Sequence, residues 1–233
     1  MKKKIILKVL ALLPHFLFRR LVKLLYPKKI LSTQNTYEEI ISNQELLKEK
    51  LFDLKNEDSY FLNELSRSSC YGEYGCGLTT IYAVRELKKP TISVDTSLDW
   101  VNKIKESNNN NLLNICYVNL GEVGSFGRPI NYDLRENIKE YLEIIWQQEN
   151  KPDFVLIDGR FRVAAFLTSL KYAKKGTVVC FDDYTTRPHY KIVEIFEKPY
   201  LVQDDNSVFF RCNKEYDIEK LNYYISKFEY VMD

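Results

Sequence analysis

A chain of 233 residues, 45% of them apolar and 28% charged, has material for one domain with a sizeable core plus short extensions, and its composition excludes a disordered or fibrous protein. The formal charge of +2 conceals an asymmetry: residues 1–29 carry nine Lys or Arg and no acid, while the remainder has 25 basic against 32 acidic residues. An acidic body with a basic tail argues against broad nucleic-acid binding and gives the tail a partner of its own.

The tail reads MKKKIILKVLALLPHFLFRRLVKLLYPKK. Lys8 interrupts the apolar run, and no small-residue cleavage site follows, so it is not read as a signal peptide. It also lacks the roughly 20 consecutive apolar residues that a membrane span needs. On a helical wheel Lys4, Lys8, His15, Arg19 and Lys23 share one face, which predicts a basic amphipathic helix restarted at Pro14. Such a helix either lies in an anionic membrane interface or packs on protein. Residues 30–67 are read as a helical N-terminal segment: Thr36 and Glu39 form a capping-box pattern opening a helix to about Lys55, with a second short helix over 57–66. From residue 68 to 233 the pattern alternates. Strands are expected at 70–74, 91–95, 113–118, 153–158 and 177–182, and helices at 79–88, 97–107, 134–149, 161–173 and 188–197, which implies a parallel sheet with right-handed crossovers. Asn108–Asn111 reads as a loop. The stretch YLVQDDNSVFFRCN then predicts a hairpin, with a tight turn over Asp204-Asp-Asn-Ser207, and hence one antiparallel strand, with a last helix at 216–227. The five cysteines form no C-x-x-C pair and mostly sit in apolar runs, as expected of buried, reduced thiols in a cytoplasmic protein.

The chain has eight glycines, and all but Gly176 fall in or just after the C-terminal end of an expected strand, the edge at which open α/β sheets bind ligands. Gly75-Cys-Gly77 turns from strand into helix, where the absence of Cβ lets a ligand approach and the helix N-terminus offers free N–H groups. Asp95 closes the second strand, twenty residues beyond Gly75, and an acid there can accept from both ribose hydroxyls. These features point to an adenosine-type nucleoside. They do not separate a nicotinamide cofactor from S-adenosylmethionine.

Glu73 two residues before Gly75, Thr80 where a dinucleotide fingerprint has its third glycine, and the terminal hairpin together resemble the class I S-adenosylmethionine-dependent methyltransferases over about residues 68–212. The resemblance implies a Rossmann-like α/β fold, a seven-stranded, mostly parallel sheet with a C-terminal antiparallel hairpin and helices on both faces, preceded by a helical extension. It implies S-adenosyl-L-methionine as cofactor, with Glu73, Gly75 and Gly77 at its methionine part and Asp95 at the ribose. The family's acid after the third strand is replaced by Asn119, the expected adenine contact.

Asp158 ends the fourth strand, and Asp182 and Asp183 end the fifth. Three carboxylates on one edge want a cation, and with room for water they suit Mg²⁺. This set resembles the metal-dependent O-methyltransferases that act on sugars, and it implies a metal held by Asp158, Asp182 and Asp183, with Asp158 also near the cofactor. The ion would orient and acidify a hydroxyl of a small-molecule or glycan- or lipid-linked acceptor, and His189, six residues after Asp183, would take the proton. The same acids also suit helix or loop capping. Arg160, Arg162 and Arg187 flank them and either bind an anionic substrate or pair with the acids in place of a metal. The enzyme reading places the protein in the cytoplasm, peripheral to the inner membrane face through residues 1–29. The alternatives are a nicotinamide-dependent oxidoreductase and a non-catalytic, membrane-associated module of the same fold.

Overall fold

The computed structural model describes residues 37–45, 47–48, 59–108, 110–203 and 206–233. The expected tail helix of residues 1–29, the capping box at Thr36, the helical stripe beyond residue 48 and the Asp204–Asp205 turn lie outside them. The chain divides into two compact units, Met1–Ile40 and Ile41–Asp233; only residues 37–40 of the first are described.

The strands are β1 (Tyr71–Tyr74), β2 (Thr91–Asp95), β3 (Leu113–Tyr117), β4 (Phe154–Ile157), β5 (Val178–Phe181), β6 (Leu201–Gln203) and β7 (Ser207–Arg211). They form one sheet in the order β3-β2-β1-β4-β5-β7-β6, parallel except for β7, which runs antiparallel to both neighbours. The helices are α1 (Tyr37–Ser42), α2 (Tyr60–Arg67), α3 (Leu78–Arg85), α4 (Leu98–Ser107), α5 (Ile138–Glu143), α6 (Arg162–Tyr172) and α7 (Ile218–Phe228).

Alternation along the strands builds two apolar layers. Val155, Ile157, Val179, Phe181, Val208 and Phe210 face the layer packed by α5, α6 and α7. Phe154, Leu156, Val178, Cys180 and Phe209 face the other, against Phe61 and Leu65 of α2 and Ala83 of α3. The central strands β1, β4 and β5 are buried at every position; β4 and β5 accordingly read as continuous apolar runs, while β1 carries the buried Glu73. Side-chain caps start three helices where sequence pattern places a boundary: Ser59 accepts from Leu62 N–H, Ser97 from Trp100 N–H and Asp217 from Lys220 N–H.

Two expected helices come out differently. The 134–149 stretch is a short α5 between 3₁₀ turns at Arg135–Asn137 and Ile144–Trp146, and the 188–197 stretch is a 3₁₀ helix over Pro188–Ile195. Ile138, Tyr141, Leu142, Ile145 and Trp146 are buried at the i, i+3, i+4, i+7, i+8 spacing of one helical face, so the apolar period is kept through the change in winding. All five cysteines are free, four of them buried.

Candidate functional site

A cavity of about 730 Å³ opens over the C-terminal ends of β1, β2, β4 and β5. Its floor is set by a backbone crossing. Gly75 has φ +90°, a conformation that favours glycine, and a Cβ there would lie 2.9 Å from the Gly159 Cα. A Cβ on Gly159 would lie 2.8 Å from the Tyr74 carbonyl carbon and 2.9 Å from the Gly75 nitrogen. The turns after β1 and β4 therefore touch only because both residues lack side chains. Gly77 differs: nothing lies within 4 Å of where its Cβ would stand, so protein packing does not demand a glycine here. Gly77 itself is not on the cavity wall; Gly75 and Cys76 of the same turn are.

Glu73 lies beneath this turn, fully buried and not on the cavity wall. Its carboxylate accepts from the Tyr71 hydroxyl at 2.9 Å and the Thr79 hydroxyl at 2.8 Å, and from the Thr80 hydroxyl. Thr80 in turn accepts from Gly77 N–H at 2.8 Å, so a chain of donors links the turn to the buried acid. This explains threonine at the position where a dinucleotide fingerprint has glycine. Burial pushes the Glu73 carboxyl up to about 7, against the opposing pull of its hydroxyl donors. The expected direct contact of Glu73 with a cofactor is thus replaced by a contact with the turn.

Asp95 lines the cavity and ties β2 to the glycine turn. Its Oδ2 accepts from Cys76 N–H at 3.0 Å and its Oδ1 from Ser97 N–H at 2.8 Å, while burial raises its pKa. Trp100, whose indole N–H donates to the Cys76 carbonyl, stands beside it. Across from them the loop after β3 folds back on itself through a Val123–Pro129 bridge. Gly127 packs on Thr96, whose hydroxyl donates to the Gly127 carbonyl, and Phe126 at the loop tip is held at φ 57° and is 91% exposed. Asn119 does not reach the cavity. Its side-chain oxygen accepts from Gly121 N–H and the Tyr117 hydroxyl, and so shapes the start of that loop.

The acid cluster is organised by an arginine. Arg162, the first residue of α6, is buried and directs all five N–H groups at the two strand ends: Nε to the Gly159 carbonyl, Nη1 to the Asp182 carbonyl and Asp183 Oδ2, and Nη2 to the Asp158 carbonyl and Asp158 Oδ1. Burial alone would lower its pKa, but Asp158, Tyr190, Asp183 and Asp182 outweigh that and hold it charged. Arg187 adds a second contact to Asp183 Oδ2 at 3.0 Å and donates to the Tyr190 hydroxyl. Left-handed backbone at Phe161 and Asp183 aims these side chains, strain of the kind that clusters at sites.

This corrects the metal expectation. Among the described residues no group of three or more His, Cys, Asp or Glu is placed to hold a metal ion. Asp182 turns toward β7, accepting from the Ser207 hydroxyl at 2.6 Å, and is not on the cavity wall. Asp158 and Asp183 find their cation in Arg162, so Asp158, Asp182 and Asp183 do not fit Mg²⁺. His189 is also off the cavity wall, half-exposed, with Nε2 3.9 Å from Asp233 Oδ2. Arg162 has no N–H left for a substrate; Arg160 and Arg187 do line the cavity.

Sequence reading missed Tyr141, whose buried hydroxyl accepts from Arg160 N–H at 3.1 Å on the cavity wall, and Trp100. Trp100 had a signal in standing five residues after Asp95; Tyr141, on the apolar face of an amphipathic helix far along the chain, had none.

No family model matches the chain, and no curated protein matches it in sequence. Among solved structures, a methyltransferase-like protein from Silicibacter pomeroyi is similar at 25% identity with a TM-score of 0.64, covering 71% of this chain and 89% of that one. An O-methyltransferase from Bacillus cereus in complex with SAH is similar at 15% identity with a TM-score of 0.42, covering 80% of this chain and 94% of that one. The seven-stranded sheet with its single reversed strand, taken with the first of these likenesses, gives the chain the fold of the class I S-adenosylmethionine-dependent methyltransferase superfamily.

Proposed function

We propose that the cavity binds S-adenosylmethionine and that the protein transfers its methyl group to a hydroxyl of a small-molecule or glycan- or lipid-linked acceptor. The observation that carries this reading is Asp95 on the cavity wall, tied through its Oδ2 to Cys76 N–H across the β1–β2 edge, beside the close crossing of Gly75 and Gly159. Asp95, held by two backbone N–H groups, keeps acceptor capacity for a ribose diol. The Gly75–Gly77 turn leaves room for the methionine part.

When bound, the cofactor supplies an electrophilic methyl on sulfur. The chain's task is to hold the acceptor oxygen in line with it and to receive the proton. Of the two carboxylates at the β4 and β5 ends that line the cavity, Asp158 is the more exposed, with 43% of its side chain accessible against 30% for Asp183, and Asp183 is gripped by two arginines. Asp158 is therefore the proton acceptor in this scheme, positioned by its ion pair with Arg162. His189, facing Asp233 outside the cavity, has no part in it.

The test is calorimetric titration of S-adenosylhomocysteine into wild type, Asp95→Ala and Asp158→Asn, followed by a methyl-transfer screen over hydroxylated acceptors. Asp95→Ala weakens binding at least about tenfold; Asp158→Asn binds within about threefold of wild type but loses turnover. Absence of binding to wild type rejects the reading. Binding with no turnover on any acceptor favours a non-catalytic module, which the tight arginine hold on Asp183 also suits.

Residues 1–29 are assigned a peripheral contact with anionic membrane, on the strength of their charge pattern, with residues 30–67 as a helical segment and 68–233 as the methyltransferase domain. Among the described residues no helix is long and apolar enough to cross a membrane.

A further inference from the structure

The three arginines on the cavity wall are not equivalent. Arg162 has all its N–H groups on protein oxygens, and Arg187 is held by Asp183 and Tyr190. Arg160 is held only through its backbone, by Tyr141. Among the described residues its side chain makes no hydrogen bond and no ion pair, and its Nε is shielded from solvent without a partner. Asp233 attracts it from beyond ion-pair distance, while burial and the neighbouring Arg162 charge act against its charged form. A guanidinium in this state is a site for an anion, because its desolvation is uncompensated until one arrives.

The charge balance says which molecule brings that anion. Asp95, Asp158 and Asp183 match Arg160, Arg162 and Arg187 on the wall. A sulfonium cofactor adds one positive charge, since its amino and carboxylate groups cancel each other. Counted over the wall residues, with Asp233 behind them, the filled cavity then holds an excess positive charge, and the Arg160 guanidinium has no side-chain partner among the described residues. Arg160 also stands in the turn after β4, with Asp158, whereas the ribose acid stands across β1 at the end of β2.

We infer that Arg160 recognises a carboxylate or phosphate on the methyl acceptor, so that the substrates of this cavity are acidic molecules. The inference rests on the methyl-transfer reading and narrows its acceptor class. The same chemistry is present on the cofactor's own carboxylate, and the experiment separates the two sources.

S-adenosylhomocysteine, 5′-methylthioadenosine and inorganic phosphate are titrated into the full chain as wild type, Arg160→Ala and Arg160→Lys, phosphate both with and without saturating S-adenosylhomocysteine. Both nucleosides bind the variants within about threefold of wild type, while phosphate binds the nucleoside-saturated wild type at least about tenfold more tightly than Arg160→Ala, with Arg160→Lys between them. Arg160→Lys keeps the charge and so remains informative where the alanine variant fails to fold. Equal phosphate affinity in wild type and Arg160→Ala, or none in wild type, overturns the proposal. So does a tenfold loss for S-adenosylhomocysteine with none for 5′-methylthioadenosine, because the cofactor carboxylate is then the partner. If wild type binds phosphate through Arg160 but neither nucleoside, the anion site stands and the methyl-transfer reading falls.

Discussion

Replacing Glu73 by glutamine tests how the glycine turn is held. Glu73 is fully buried, with only hydroxyl donors around its oxygens, and its carboxyl is pushed from an ordinary 4.5 to about 7. The folded protein therefore holds this proton over a range in which the unfolded chain has lost it. With fewer protons bound in the unfolded state, stability falls as pH rises from about 4.5 to about 7, and the contribution is fully present only below that window. The full displacement corresponds to about 3 kcal/mol, and linkage gives about 2.5 kcal/mol between pH 5 and pH 8. Glutamine keeps the shape and removes the titration. Urea unfolding of wild type and Glu73→Gln at half-unit steps from pH 5 to pH 8 reads the effect as a difference, in which all other titrating groups cancel. The wild type loses about 2.5 kcal/mol relative to the variant across the range. Parallel profiles would falsify the reasoning: the hydroxyl donors would then outweigh burial, and Glu73 would be an ordinary ionised carboxylate.

Gly159→Ala places a methyl against the Tyr74 carbonyl carbon and the Gly75 nitrogen, main-chain atoms of a central strand and its turn. The expected cost is about 3 kcal/mol, a drop in Tm of roughly 6–12 °C, together with loss of S-adenosylhomocysteine binding. A melt within about 1 °C of wild type would mean that the two turns are not in contact. Deletion of residues 1–29 is expected to abolish co-sedimentation with anionic liposomes while leaving neutral liposomes unaffected; equal sedimentation of full-length and truncated protein counts against the membrane assignment.

The broad architecture and one edge of the site were legible in the sequence because their causes are local. Alternating strand and helix periods mark β1 to β5, and the QDDNS turn signal marks the reversed β7. The glycine at position 75 reports a backbone conformation that favours glycine, and Asp95 reports a strand end. Even Glu73 and Thr80 were visible as departures from a dinucleotide pattern, although their connection to each other through Gly77 was not.

What only the tertiary structure decided is how the charges at the β4 and β5 ends are matched. Asp182 and Asp183 are consecutive, yet one accepts from Ser207 on β7 and the other from Arg162 and Arg187. That divergence follows from left-handed backbone at Asp183, as the insertion of Arg162 follows from left-handed backbone at Phe161. Spacing alone brings three acids and three arginines to one sheet edge and leaves both a metal cluster and a set of ion pairs open. Side-chain direction in the turns chooses between them: it makes Arg162 a structural cation, closes the acid set to a metal, and leaves Arg160 as a guanidinium on the cavity wall with no side-chain partner among the described residues. Directions of that kind depend on turn dihedrals fixed by packing across the sheet, to which no local run of residues corresponds.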